Sequence, residues 1–298
     1  MTHGVVFGGG GVLGIAWEVG VVAGLAAAGV DPVAGASVVV GTSAGAAVGC
    51  RLAAGAPVDV LEKEQHQPTG DDAAAAGAVM GKLDFQLLAD VFVRWTGSGA
   101  VTEAVARDVG TMALRQTTLA EEEFVALMDG SLGATAWPER DLRIVTSSCD
   151  TGRRTAWTPA DGVALARAVA ASCSIPGIMP PVAVDPASSE RHVDGGVWSG
   201  TNADLLVTDG LDAVVVIEPL SVATNQLGEL SGQALARERS ALEAAGATVV
   251  VISGDAGYAA LSTELLDPSK RPEALELGRT TGVAAADAVA AVLAGARR

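Results

Sequence analysis

Histidine is scarce in this sequence. Only His3, His66 and His192 occur, and none follows His192. A serine, acid, histidine triad in the α/β-hydrolase order needs a histidine late in the chain, so that arrangement is excluded. Cysteine is equally sparse: Cys50, Cys149 and Cys173 are odd in number and widely spaced, with no C-x-x-C pair. Neither a disulfide framework nor a zinc site is expected, and no other metal cluster is indicated. Basic side chains number 19 against 35 acidic ones, a formal net charge of −16. That balance opposes the counterion release that drives nucleic-acid binding, so no nucleic-acid partner is expected. There is no basic leader with a small-residue cleavage site. The chain opens on the strand-like run Gly4-Val5-Val6-Phe7, and a cytoplasmic location is the expectation. The one long uncharged run, 32–50, is punctuated by Pro32, Gly35, Gly41, Gly45 and Gly49, which suits a buried strand, turn and helix rather than a membrane span.

Hydrophobic residues make up 49% of the 298, enough for a large core. Short apolar runs at 5–8, 37–40, 142–148, 213–218 and 248–252 alternate with Ala/Leu-rich stretches. That alternation predicts an α/β class: a doubly wound, mainly parallel sheet flanked by helices, in a single domain over 1–298. Helices are expected at 14–28, after the turn near 41 to about 54, and at 84–95, 101–114, 119–129, 163–171, 231–245 and from about 273. Asp150-Thr151-Gly152 predicts a hairpin between 142–148 and 154–157, and a second hairpin is expected between 182–184 and 191–193. Residues 66–82 lose periodicity and read as a mobile lid or an exposed loop.

Three motifs could carry chemistry. Gly8-Gly9-Gly10-Gly11-Val12-Leu13-Gly14 joins the first strand to the first helix, where close-packed glycines present amide N–H groups at a helix N-terminus. Gly9-x-Gly11-x-x-Gly14 fits dinucleotide-binding spacing. That use needs an acid at the end of the second strand, where Gly41-Thr42-Ser43 stands instead, and Asp31 precedes the strand. No cofactor is therefore expected, and an oxyanion hole is the competing use. Gly41-Thr42-Ser43-Ala44-Gly45 is a G-x-S-x-G where a strand turns into a helix, a nucleophile elbow or a tight turn with an N-capping serine. Asp194-Gly195-Gly196 is either a base at a strand end or a plain Asp-Gly turn. Asn202 either positions the loop after Asp194 or caps a helix, and the five tryptophans read as packing residues.

In order and kind, Gly9-Gly10-Gly11-Val12-Leu13-Gly14, Gly41-Thr42-Ser43-Ala44-Gly45 and Asp194-Gly195-Gly196 resemble the patatin-like phospholipase family. The resemblance implies a Ser-Asp dyad of Ser43 and Asp194 without histidine, and an oxyanion hole of Gly9, Gly10 and Gly11, with Ala44 as a further donor. It implies a serine lipid acyl hydrolase acting through an acyl-enzyme, with a lipid or fatty-acyl ester as substrate and transient contact with a membrane interface. It also implies that the proline-rich loop 172–181 helps shape the acyl pocket. Leu13 stands where the family usually has Arg or Lys, which bears on head-group preference more than on ester hydrolysis. The rival readings are a nucleotide- or cofactor-binding protein, a degenerate binding module, and acyl transfer to an acceptor other than water.

Overall fold

Valine-rich runs with no polar alternation form strands buried on both faces, and here they build the centre of one sheet. The computed structural model describes residues 2–66, 79, 81–97, 99–116, 118–133, 136–261 and 263–295. Strands β1 (His3–Phe7), β2 (Val38–Thr42), β3 (Asp141–Ser148), β6 (Ala213–Glu218) and β7 (Thr248–Ser253) run parallel in the order β3-β2-β1-β6-β7. β4 (Arg154–Trp157) returns antiparallel along the outer edge of β3, as the Asp-Thr-Gly turn predicts. Side chains alternate across the sheet. Val5, Phe7 and Val39 enter one core, and Val6, Val38 and Val40 enter the other.

The first face is covered by α1 (Gly11–Ala27), α2 (Ala44–Ala53), α3 (Val58–His66), α6 (Glu121–Leu132), α7 (Leu165–Ser172) and α10 (Arg271–Gly295). The second takes α8 (Gln226–Ala244), with Leu235 and Leu242 inward. α4 (Phe85–Thr96) and α5 (Glu103–Ala113) form a third apolar cluster with Val193 and Val197, and the short α9 (Ala256–Ala259) follows β7. α10 is long and apolar enough to cross a membrane, yet its buried residues Leu275, Gly278 and Gly282 recur every three to four positions and face α1. There the two backbones touch. A Cβ on Gly20 would lie 2.1 Å from the Leu275 carbonyl oxygen, one on Gly278 2.1 Å from that of Trp17, and one on Gly282 2.1 Å from that of Val21.

Three expectations shift. α3 follows Pro57 and buries only Leu61 and Gln65, too short an apolar signal to stand out. α8 starts at Gln226 rather than 231, because the Asn225 side chain caps it by accepting from the Gly228 N–H. The hairpin expected from 182–184 and 191–193 reduces to a single bridge between Val182 and His192. β5 (His192–Asp194) pairs instead with β3. Most of the expected lid, 67–78 and 80, lies outside the described residues.

Candidate active site

The ladder of β3 explains how Ser43 and Asp194 meet. β2 occupies one edge of β3 as far as Thr42, opposite Val145, and β4 takes the other edge. Past Thr42 the vacated edge receives β5, running the opposite way, with Asp194 opposite Thr146. The ends of β2 and β5 therefore converge on adjacent rungs of the same strand. Both side chains line the same cavity, and Ser43 stands near enough to the Asp194 carboxyl to lower its pKa.

Ser43 is held at φ 55°, ψ −119°, a conformation that costs an L residue about 1–3 kcal/mol. Close packing imposes it. A Cβ at Gly45 would lie 2.1 Å from the Phe7 carbonyl oxygen, and one at Gly41 2.6 Å from that of Gly45, so neither neighbour can carry a side chain. The strained backbone is clamped on both sides. The Ser43 N–H donates to Ser172 Oγ (2.9 Å), whose hydroxyl donates to the Val145 carbonyl (2.7 Å), and Cys173 Sγ donates to the Ser43 carbonyl (3.2 Å). Ser172→Ala removes the first of these braces. It should lower kcat by about ten- to a hundredfold through misplacement of Oγ, with KM within twofold, as read in steady-state ester kinetics.

Asp194 is 4% exposed. Burial pushes its carboxyl up to about 7, against the lowering effect of the nearby Ser43 side chain and of the hydrogen bond from the Gly196 N–H. The Gly196 bond to Oδ1 is 2.7 Å long, and the Asp194 N–H is anchored on the Ser174 carbonyl at 3.0 Å. Asn202 sits in the left-handed region, and its side chain does not cap the short helix that follows. It is a brace instead. Its amide donates to Thr42 Oγ1 (3.1 Å) and the Ser199 carbonyl (2.8 Å), tying the turn after Asp194 to the last residue of β2.

The glycine loop lies beside this pair, and one of its expected donors is already used. The Gly9 N–H donates to the Gly200 carbonyl at 2.7 Å, so, against the expectation for Gly9, it is not free to meet an incoming acceptor. What Gly9 contributes is space: a Cβ there would lie 3.4 Å from that of Ser43. Gly10 and Gly11 keep their places in the cavity wall, with no backbone acceptor found for their N–H groups among the described residues. Gly11 has φ +62° and opens α1, and Ala44 opens α2, so both present first-turn N–H groups without intrahelical partners. Behind the loop, the buried Glu218 carboxyl accepts from the Leu220 and Ser221 N–H groups and shapes the Pro219-Leu220 turn that packs on Gly10.

These groups floor a cavity of about 630 Å³. Its walls are apolar. Leu88, Phe92 and Trp95 come from α4, Ile175 and Ile178 from the proline-rich loop, and Leu265 with Leu266 from the segment before α10. The proline loop was legible in the sequence, but the other two walls were not. No histidine is among the described residues that line the cavity. His192 bonds Thr146 Oγ1 at 3.0 Å and meets the edge of Trp157, His3 contacts the Pro32 carbonyl, and His66 lies near Glu276.

Residues 5–207 match the family model described as patatin-like phospholipase. The chain belongs to that family. Patatin-like phospholipases are lipid hydrolases by description, and membership supports that class of activity here. Among curated proteins, none matches the sequence. Among solved structures, the chain is similar to VipD from Legionella pneumophila, at 15% identity over 96% of this chain and 67% of that one, with a TM-score of 0.47. It is also similar to the type III effector protein ExoU, at 17% identity over 97% of this chain and 53% of that one, with a TM-score of 0.39.

Proposed function

We propose that this patatin-like protein is a serine lipid acyl hydrolase that cleaves fatty-acyl esters with a Ser43-Asp194 dyad. The observation that carries the reading is that Ser43, on its strained elbow, and the buried Asp194 carboxyl stand together in the lining of one apolar cavity. Asp194 takes the proton as Ser43 Oγ attacks the ester carbonyl carbon. The carbonyl oxygen becomes an oxyanion facing the N–H groups of Gly10, Gly11 and Ala44, each worth about 10²–10³ in turnover. When the tetrahedral intermediate collapses, the carbon–oxygen bond to the leaving group breaks and Asp194 returns its proton to the departing alcohol. Water, deprotonated by the same carboxylate, then attacks the acyl-serine and releases the fatty acid. A carboxylate whose pKa sits near neutrality is a better base than an exposed one.

Two features support a lipid substrate. The walls suit an alkyl chain, and Phe85, 67% exposed, stands at the mouth beside Phe92 on the same face of α4, placed to enter a lipid interface transiently. Labelling by a fluorophosphonate and turnover of p-nitrophenyl esters of graded chain length test the assignment. Both should vanish in Ser43→Ala, whereas undiminished turnover in that variant would favour the degenerate binding module. The base must be ionised to act, so kcat/KM should rise with pH through about 7 and level off above it. A flat profile between pH 5 and 9 would remove Asp194 from that role.

A further inference from the structure

The three motifs hang from one buried loop. Residues 199–202 follow the Asp194 turn, and Ser199, Thr201 and Asn202 are all buried although all are polar. A polar loop out of reach of water must make its hydrogen bonds inside the protein, and here those bonds run to each motif in turn. The Gly200 carbonyl accepts from the Gly9 N–H at 2.7 Å, which seats the glycine loop. The Asn202 amide donates to Thr42 Oγ1 at 3.1 Å, one residue before Ser43, and to the Gly195 carbonyl at 3.3 Å, one residue after Asp194. A shift of this loop would displace the glycine loop, the elbow and the Asp194 turn relative to one another.

Two charged side chains from other elements hold the loop, and neither lines the cavity. Arg154, on β4, donates to Asn202 Oδ1 at 3.1 Å while its guanidinium pairs through both branches with Asp204, at 2.7 Å each. A guanidinium has no acceptor, so the amide oxygen is the end that faces it and the amide nitrogen is turned toward Thr42 and Gly195. Glu238, on α8, accepts from the Thr201 hydroxyl and from the Ala203 N–H, the latter at 2.9 Å. About two turns earlier on the same face of that helix, Ser231 donates to Glu218 at 2.8 Å and closes on Gly200, where a Cβ would lie 2.5 Å from Ser231 Oγ. α8 lies beyond residues 5–207, so this brace comes from outside the stretch matched by the family model.

We propose that Arg154 and Glu238 are positioning residues for ester cleavage, holding the loop 199–203 that keeps Ser43, Asp194 and the glycine loop in register. The inference rests on the hydrolase reading above and deepens it. The test uses the full chain, p-nitrophenyl butyrate and a temperature at which calorimetry shows each variant wholly folded. Glu238→Ala should lower kcat by about ten- to a hundredfold, with KM within about twofold and an equal fall in the rate of fluorophosphonate labelling at Ser43. Glu238→Gln keeps an oxygen for Thr201 and Ala203 and should stay within about threefold of wild type. Arg154→Met, at a half-buried position, keeps the aliphatic stem and should lower kcat by about three- to tenfold, again with KM held. Because both side chains act through one loop, the double variant Glu238→Ala, Arg154→Met should lose less than the product of the two single losses. A wild-type kcat in folded Glu238→Ala, or in Arg154→Met should the alanine variant not fold, would overturn the inference. So would a loss that Glu238→Gln shares in full, or single losses that multiply in full. In each of those cases Ser43-dependent turnover of the wild type leaves the hydrolase reading standing, whereas turnover undiminished in Ser43→Ala would overturn both.

Discussion

Asp194→Asn should abolish ester turnover and, at pH 8, raise the melting temperature. The activity loss follows from removal of the carboxyl that stands beside Ser43 in the cavity, and a loss of about 10⁴-fold or more is expected when a catalytic base is replaced. The gain in stability follows from what burial does to that carboxyl. In the unfolded chain it titrates near the ordinary aspartate value of about 3.9, and in the folded protein near about 7. Between those values the native state holds a proton that the unfolded state has lost. Stability therefore falls as pH rises from about 4 to about 7, and the deficit persists above the folded pKa. Three pH units at 1.36 kcal/mol each set an upper bound of about 4 kcal/mol on what the neutral amide could recover at pH 8. Near pH 4 the two proteins should melt alike. Calorimetry of wild type and variant at pH 4.5 and pH 8, with p-nitrophenyl ester kinetics, gives both readings. An inactive variant equally destabilised at both pH values would mean that Asp194 serves packing alone.

Gly282→Val should cost enough to deplete the folded protein. The Cβ it introduces would sit 2.1 Å from the Val21 carbonyl oxygen, an atom of helix backbone that cannot rotate aside. α1 and α10 approach through glycines on both partners, so relief requires the two helices to separate along their length. Overpacking of this kind costs about 1–3 kcal/mol where side chains can adjust, and more is expected where they cannot. α1 also carries Leu13, Trp17 and Leu25, each wholly buried, and a fully buried large apolar side chain contributes about 1.5–3 kcal/mol. Gly130→Ala provides the contrast. A Cβ there meets nothing within 4 Å in the last turn of α6, and alanine should raise stability by about 0.5–1 kcal/mol through helix propensity. Urea denaturation of both variants checks the pair. Wild-type stability in Gly282→Val would show that the α1–α10 contact yields easily.

The sheet was legible because its strands are apolar on both faces: 5–8, 37–40 and 213–218 have no other reading in a chain this hydrophobic. The elbow was legible because Gly41 and Gly45 mark where backbones pack too closely for a side chain. Asp194 could be singled out from its Asp-Gly-Gly turn, but its neighbour could not. β5 has three residues, and its partner is β3 rather than the strand-like segment just upstream. The occupied N–H of Gly9 was hidden for the same reason, since Gly200 reaches it only through the tertiary fold. The pocket walls from α4 and from 263–268 carry ordinary amphipathic or loop composition. Their role appears only when the helices are placed around the sheet.

β1 lies between β2 and β6, with His3 opposite Ala213. During synthesis the amino-terminal strand, the glycine loop and the elbow emerge from the ribosome long before the strand that completes their flank. Until β6 is made, the edge of β1 that it covers is a valine-rich row of unpaired N–H and C=O groups, open to pairing with the wrong strand.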